Sequence, residues 1–328
     1  MQQGQQFYDE RNRNTDPREQ SAEQYGYPRD NQQGYIRNPR NSENLQRPRQ
    51  RNSLPLIALI VIVCLIVGAW VAGSVLFSTG NLPTNTIAVT GHENIKIENG
   101  DGFIHVHTGN TNSIVVSGTR YAVGLGSSLD ALKVDYTQAG NSVTIQTEGE
   151  GGIFFASNRI DLDVTIPAAS NLTINDGSGN ISLASVNGDV QAQTGSGSIE
   201  ASNIQGATIL KTSSGSIVAS NINGQTSIES GSGSLSVDNS RLQGDSALHT
   251  GSGDINFTGS LDVNGTYRLE SGSGNVNLTL PADSALLFIV QTGSGITTDD
   301  FNSNYVGSSP QARVTIHTGS GNIGIHKQ

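Results

Sequence analysis

His105 and His107 stand one residue apart in the run Ile104-His-Val-His-Thr108. Alternate side chains of a strand share a face, so both imidazoles point the same way. Two imidazoles begin a zinc-type site, which takes a third and usually a fourth ligand. The remaining histidines, His92, His249, His317 and His326, are scattered, and the one cysteine, Cys64, lies in an apolar stretch. The expectation is no metal site, with His105 and His107 as exposed polar strand residues.

Asp161 and Asp163 share a strand face in the same way, and Asp299-Asp300 fall in a loop. Paired carboxylates are the equipment of glycoside hydrolysis. Such a site also needs aromatic platforms for sugar. No tryptophan follows the apolar stretch, and Tyr121, Tyr136, Tyr267 and Tyr305 show no repeat spacing. Gly251-Ser-Gly-Asp-Ile255 is superficially like a calcium-binding roll, but its Asp position is Asn or Ser in most other copies. Without those carboxylates calcium is poorly held. The Gly-rich loops lack the lysine and following helix of a phosphate-binding loop. The serines have no repeating His or Asp beside them, as a nucleophilic triad would require. The sequence therefore offers no catalytic residue and calls for no cofactor.

The elements that would position these residues are written in a repeat. Gly177-Ser-Gly-Asn-Ile181, Gly195-Ser-Gly-Ser-Ile199, Ser213-Ser-Gly-Ser-Ile217 and Gly231-Ser-Gly-Ser-Leu235 recur at 18 residues, and four further copies follow to Gly319-Ser-Gly-Asn-Ile323. A fixed period in this range means stacked supersecondary units. Ile181, Ile199, Ile217 and Leu235 align in one aliphatic column, and Leu183, Ala201, Ala219 and Val237 in a second, two positions on as in a strand. Two further columns are Val186, Ile204 and Ile222, and Ala192, Leu210 and Ile228. Glycines fall in two columns, so each rung has two turns. One holds Gly179, Gly197, Gly215 and Gly233, the other Gly188, Gly206 and Gly224. Glycine there suits either a positive φ or a close approach of neighbouring backbones. Asn203, Asn221 and Asn239 recur beside them, with Ser185 one rung earlier. They read as a structural ladder at a corner. The fold class is all-β: a β-solenoid of rungs of about 18 residues with aliphatic residues inside, its handedness and number of faces left open.

The run Ile160-Asp-Leu-Asp-Val-Thr-Ile-Pro-Ala-Ala-Ser-Asn-Leu-Thr-Ile174, followed by these Gly-Ser-Gly-[Asn/Ser/Asp]-Ile rungs, resembles the bacterial DUF4097 β-strand-repeat proteins over roughly residues 86–328. That family is often labelled putative adhesins and relates to the head GIN domains. The resemblance implies a β-solenoid in the cell envelope, with adhesion or envelope-stress signalling as its role, and carries over no functional residue.

The rest of the chain supplies a topology. Residues 1–53, rich in Arg, Gln and Asn and poor in apolar residues, read as a disordered cytoplasmic tail. Residues 54–77 hold no charge and read as a transmembrane signal-anchor helix. Arg47, Arg49 and Arg51 precede the span, which places the N-terminus inside and the C-terminal region outside. Residues 78–90 read as a linker, and 91–328 as the extracytoplasmic solenoid. The tail is +2 and the region after the span −12, giving −10 overall. An acidic exported domain excludes nucleic acid as a partner. The expected localisation is a single-pass cell-membrane protein, with an envelope protein or cell-wall glycan as partner. The function expected is non-catalytic envelope adhesion or scaffolding. The alternatives are stress signalling, with Tyr8, Tyr25, Tyr27 and Tyr35 of the tail as docking points, and a polysaccharide-active enzyme using Asp161 or Asp163. Any specific binding site is expected where the rungs depart from the repeat.

Overall fold

A computed structural model of the protein describes residues 54–90, 92–109, 112–124, 127–149 and 157–328. The expected tail, 1–53, lies outside them.

Leu54–Leu76 form one helix of 23 residues. Its described side chains run from Leu56 to Trp70, all exposed. Among the described residues no helix is long and apolar enough to cross a membrane. Residues 78–90, expected as a linker, are instead largely strand: Phe77–Ala88 follows the helix without a break and pairs antiparallel with Ser113–Val123. Exposed and partly covered positions alternate along this strand, but only Leu82 is buried, which is why its Thr/Asn/Pro composition reads as a spacer. Pro83 sits where the pairing slips between Leu82 and Asn85. That is an edge-strand position, where a missing backbone donor does least harm.

Among the described residues the strand Phe77–Ala88 is the edge of one of two 12-stranded sheets, whose inner faces share one core. Each regular rung contributes one strand to each sheet, so the solenoid has two faces. In the first sheet the rungs run Ile181–Ala184, Ile199–Gln205, Ile217–Gly224, Leu235–Leu242, Ile255–Leu261 and Val276–Leu280, all parallel. In the second they run Asn171–Asp176, Val190–Thr194, Thr208–Thr212, Thr226–Ser230, Asp245–Thr250 and Thr266–Ser273. Ile199 pairs with Ile181 and Ile217, and Leu210 with Ala192 and Ile228, as the aligned columns require. These aliphatic side chains are fully buried. Each fully buried Ile or Leu stabilises by about 1.5–3 kcal/mol, and the period of two commits a strand to one register.

The Asn column explains why the aliphatic spacing is not a strict alternation. Ser185, Asn203, Asn221 and Asn239 have φ of 65°, 54°, 55° and 49°. One left-handed residue within the strand puts Ser202 and Asn203 both outward and returns Ile204 to the core. Asn tolerates this conformation better than other non-glycine residues. Asn221 also donates to Asn203 Oδ1 at 3.1 Å, a bond of the expected ladder.

Of the two reasons that sequence leaves open for the first glycine column, one applies. Gly179, Gly197, Gly215 and Gly233 do not hold a left-handed φ. Their cause is close approach. A Cβ on Gly233 would collide with the Gly215 carbonyl of the rung below, and a Cβ on Gly197 with the Gly179 carbonyl. Gly233 is accordingly buried at its turn.

The rungs at both ends are out of sequence order. Ile104–Gly109 lies between Ile181–Ala184 and Ser157–Pro167, and Asn94–Asn99 between Asn171–Asp176 and Ser142–Glu148. At the other end, Ala312–Ser320 and Ile323–Lys327 insert beneath the rung that holds Leu286–Thr292 and Thr297–Asp299. The last Gly-Ser-Gly rung in sequence is thus the second from the end of the stack. Beyond these rungs pairing turns antiparallel, through Ser113–Val123 on Ser157–Pro167, Lys133–Ala139 on Ser142–Glu148, and Tyr305–Val306 on Leu286–Thr292. A change of strand direction breaks the uniform edge that a parallel stack would offer to another chain.

Candidate functional site

The chemistry-bearing side chains gather on the outward face of the first sheet, in the irregular N-terminal rungs. Three neighbouring strands build this patch. Ile104–Gly109 presents His105 and His107, Ser157–Pro167 presents Arg159, Asp161, Asp163 and Thr165, and Ser113–Val123 presents Ser117 and Tyr121. The parallel register sets His105 opposite Asp163 and His107 opposite Thr165. The antiparallel register sets Asp163 opposite Ser117 and Arg159 opposite Tyr121. Ile104, Val106, Leu162, Val164 and Ile166 point into the core, so the polar residues between them are held outward.

At one end of the patch, the Arg159 guanidinium carbon lies 4.3 Å from the Tyr121 ring centroid and 6.0 Å from that of Phe103. Phe103 is 49% exposed. Stacked cation–aromatic groups of this kind recur in recognition surfaces. Asp161 fixes the corner: Phe103 N donates to its Oδ1 at 2.9 Å, and Arg159 Nε lies 3.7 Å from the same oxygen. Beside this stack a cleft of about 380 Å³ opens between the two sheets, lined by Gly100, Asp101, Thr147, Glu148, Ser157 and Arg159. Its volume falls within the range of small-molecule sites, which span about 300–1,000 Å³.

At the other end, the rings of His105 and His107 stand 5.4 Å apart, tilted by 34°. Asp163 Oδ1 lies 3.7 Å from His107 Nδ1. The two aspartates expected to share a face do so, but each has its own partners. Asp161 serves the backbone at Phe103, and Asp163 faces the imidazoles. They are not set up as an acid and base across one substrate. Asp299 accepts amides from Phe301 and Ser303, and Asp300 lies 3.4 Å from His326 Nδ1, so both tie down the far cap. Tyr267 is wholly buried, its hydroxyl within 2.9 Å of the Asp262 carbonyl, and burial pushes its phenol up to about 12. Its place is in the core.

Beneath the patch lies a column with no counterpart in the expected sites. The residue before each Gly-Ser-Gly or Ser-Ser-Gly turn is polar, and all but the part-buried Thr292 are buried: Asp176, Thr194, Thr212, Ser230, Thr250, Ser271 and Thr318. Thr194 Oγ1 donates to the Gly179 carbonyl at 2.8 Å and accepts the Gly197 amide at 3.3 Å. Thr194, Thr212 and Ser230 each close their own turn and clasp the turn of the rung below, whereas Thr250, Ser271 and Thr318 keep only the bond to the neighbouring rung's carbonyl. Gly233 is held from both sides in this way. Its amide donates to Ser230 Oγ at 2.8 Å, and its carbonyl accepts the Thr250 hydroxyl at 2.8 Å. The glycine column therefore serves the stack and supplies no group to the patch. The signal was present, since a Thr or Ser recurs at that position, but a hydroxyl in a strand gives no sign of pointing inward. Where the regular rungs end, Asp176 replaces the hydroxyl. Its carboxylate accepts the Gly179 amide and the Asn99 side chain, the latter at 3.0 Å. Burial pushes Asp176 up to about 6 against these stabilising bonds, and the neighbouring Asp101 charge adds to the rise.

A stack of two-stranded rungs with a hydroxyl column, joined to irregular terminal rungs, matches one family model, Toastrack DUF4097, over residues 92–326. The chain belongs to the Toastrack DUF4097 family. The match begins after the first strand and covers the candidate patch and every regular rung of this Toastrack protein. No curated protein matches it. Among solved structures it is similar to a putative adhesin from Bacteroides fragilis NCTC 9343, at 14% identity over 76% of this chain and 98% of that one, TM-score 0.42. It is similar also to a putative cell adhesion protein from Clostridium sporogenes ATCC 15579, at 13% identity over 76% of this chain and 100% of that one, TM-score 0.29. A putative lipid binding protein from Parabacteroides distasonis ATCC 8503 matches at 13% identity over 75% of this chain and 96% of that one, TM-score 0.29.

Proposed function

We propose that this Toastrack protein is a single-pass envelope protein that displays its solenoid outside the membrane and works there without catalysis, as an adhesive or scaffolding surface. The observation that carries this reading is the direct joining of an uncharged helix, Leu54–Leu76, to the first strand of a rigid solenoid, Phe77–Ala88. Although among the described residues no helix is long and apolar enough to cross a membrane, the uncharged run 54–77 read as a sequence has, at about 1.5 Å per residue, the length for a hydrocarbon core of about 30 Å. The uncharged sequence continues beyond its described side chains to Phe77. The arginines before it orient the chain with the solenoid outside. With no slack between helix and strand, the N-terminal rungs and their patch are held near the membrane surface. The partner is an envelope protein or cell-wall glycan gripped by the Phe103–Arg159–Tyr121 stack and the adjoining cleft.

The test is fractionation of cells carrying the full chain, with protease added from outside. The chain should pellet with membranes, resist salt extraction, dissolve in detergent and lose its solenoid to the protease. Recovery of an intact chain in the soluble fraction would overturn the reading. Signalling through residues 1–53 is separated from it by deleting 1–50: adhesion should survive, loss of a stress response with adhesion intact would favour the sensor, and the opposite result would reject signalling.

A further inference from the structure

We infer that His105, His107 and Asp163 form a surface site for a divalent transition metal of the zinc class. One ligand atom from each of the three lies within 4.8 Å of the others. Tetrahedral zinc with bonds of about 2.0–2.2 Å holds its ligand atoms about 3.4 Å apart, so small rotations of exposed side chains close the set. Three features separate this cluster from a chance meeting of polar groups.

The first is the state of the His107 ring. Its Nε2 is 2.9 Å from the Thr165 hydroxyl, which pins the ring. Its Nδ1 is buried from solvent with no hydrogen-bond partner. Asp163 Oδ1 is the facing acceptor, yet at 3.7 Å it is too far for a hydrogen bond. An unsatisfied ring nitrogen aimed at a carboxylate across that gap is the arrangement a metal ion completes. With Nε2–H donating to Thr165, Nδ1 carries the free lone pair, the outer contact that orients a metal-bound imidazole.

The second is the rigidity of the frame. His105 and His107 alternate with Val106, and Asp163 lies between Leu162 and Val164, all buried. The cross-strand pairs His105–Asp163 and His107–Thr165 are therefore fixed by the core and not by the side chains themselves. The third is the donor set. Two imidazoles with one carboxylate suit zinc, nickel, copper or cobalt, whereas calcium and magnesium require mostly oxygen. Three protein ligands leave a coordination position facing solvent, open to water or to an anionic group of a partner.

The experiment is titration of the full chain in detergent with Zn²⁺, followed by metal analysis after dialysis, and with Co²⁺ for its visible spectrum. One ion per chain is expected, with cobalt bands of a nitrogen–oxygen set. His105→Ala, His107→Ala and Asp163→Asn should each weaken binding by at least about tenfold with the circular dichroism unchanged, because all three side chains lie on the outer face. Thr165→Val should weaken affinity by about tenfold while keeping the stoichiometry. His249→Ala, on the other sheet, should change nothing. No stoichiometric zinc on the wild type, binding undiminished in the His105 and His107 variants, or equal affinity for Ca²⁺ would each overturn the assignment.

Discussion

The hydroxyl of Thr212 donates to the carbonyl of Gly197 in the rung below at 2.8 Å, and the amide of Gly215 donates to the same hydroxyl at 3.1 Å. One buried side chain thus satisfies two backbone groups in two turns. Replacing it by an isosteric apolar residue leaves both groups buried and unpaired, which costs about 1–3 kcal/mol for each such group. Thr212→Val should therefore lower the denaturation midpoint of the solenoid, while Thr212→Ser, which keeps the hydroxyl as Ser230 does, should stay close to wild type. Hydrogen exchange at Gly215 should accelerate in the first variant and not in the second.

Asp176 puts a carboxylate into the position where the other rungs carry a hydroxyl. Its folded pKa of about 6 lies above the reference value of 3.8. Between these values the folded chain holds a proton that the unfolded chain has released, so stability falls as pH rises through the window. The contribution is complete below the reference value and lost above about pH 6. Asp176→Asn keeps the shape and removes the titration. Urea denaturation of this variant across pH 4–7 should lack the component that weakens the wild type toward neutrality. Equal pH dependence in both proteins would place the linkage elsewhere.

Asn221 holds its left-handed φ of 55° inside a strand. A β-branched residue pays about 1–2 kcal/mol in that conformation, whereas glycine adopts it freely. Asn221→Val should destabilise by about that amount, and Asn221→Gly should be near neutral apart from the lost bond to Asn203. Thermal denaturation of the two variants distinguishes this backbone role from a recognition role, for which both changes would leave stability alone and reduce binding.

Much of the fold is legible in the residues themselves. Ile199, Ile217 and Leu235 announce an inward column because period-two alternation and an 18-residue repeat have one common solution. The glycine columns announce the turns, although at Gly233 the residue type alone does not distinguish close approach from a left-handed φ. The hydroxyl column was readable as a recurrence but not as a direction. What could not be read is the approach of His107 to Asp163, whose partner in the strand register is His105. These residues stand 56 apart, which is no multiple of 18, and they meet only because Ile104–Gly109 inserts out of sequence order between Ser157–Pro167 and Ile181–Ala184. Local periodicity holds no record of an inserted strand. The Arg159–Tyr121 stack was hidden because it comes from antiparallel pairing of Ser113–Val123 with Ser157–Pro167, outside the repeat, and the linker reading of 78–90 failed because its edge strand buries only Leu82 and so needs few apolar residues.

The most direct measurement of the central claim is retention of the full chain, in detergent, by intact envelope preparations and by purified wall fragments, comparing wild type with Phe103→Ala/Arg159→Ala. Both side chains are outward, so the variant should fold as the wild type does. The wild type should be retained by one of the two materials, and the variant should lose most of that retention. No retention of the wild type by either, or equal retention of both chains, would contradict a binding surface in the N-terminal rungs.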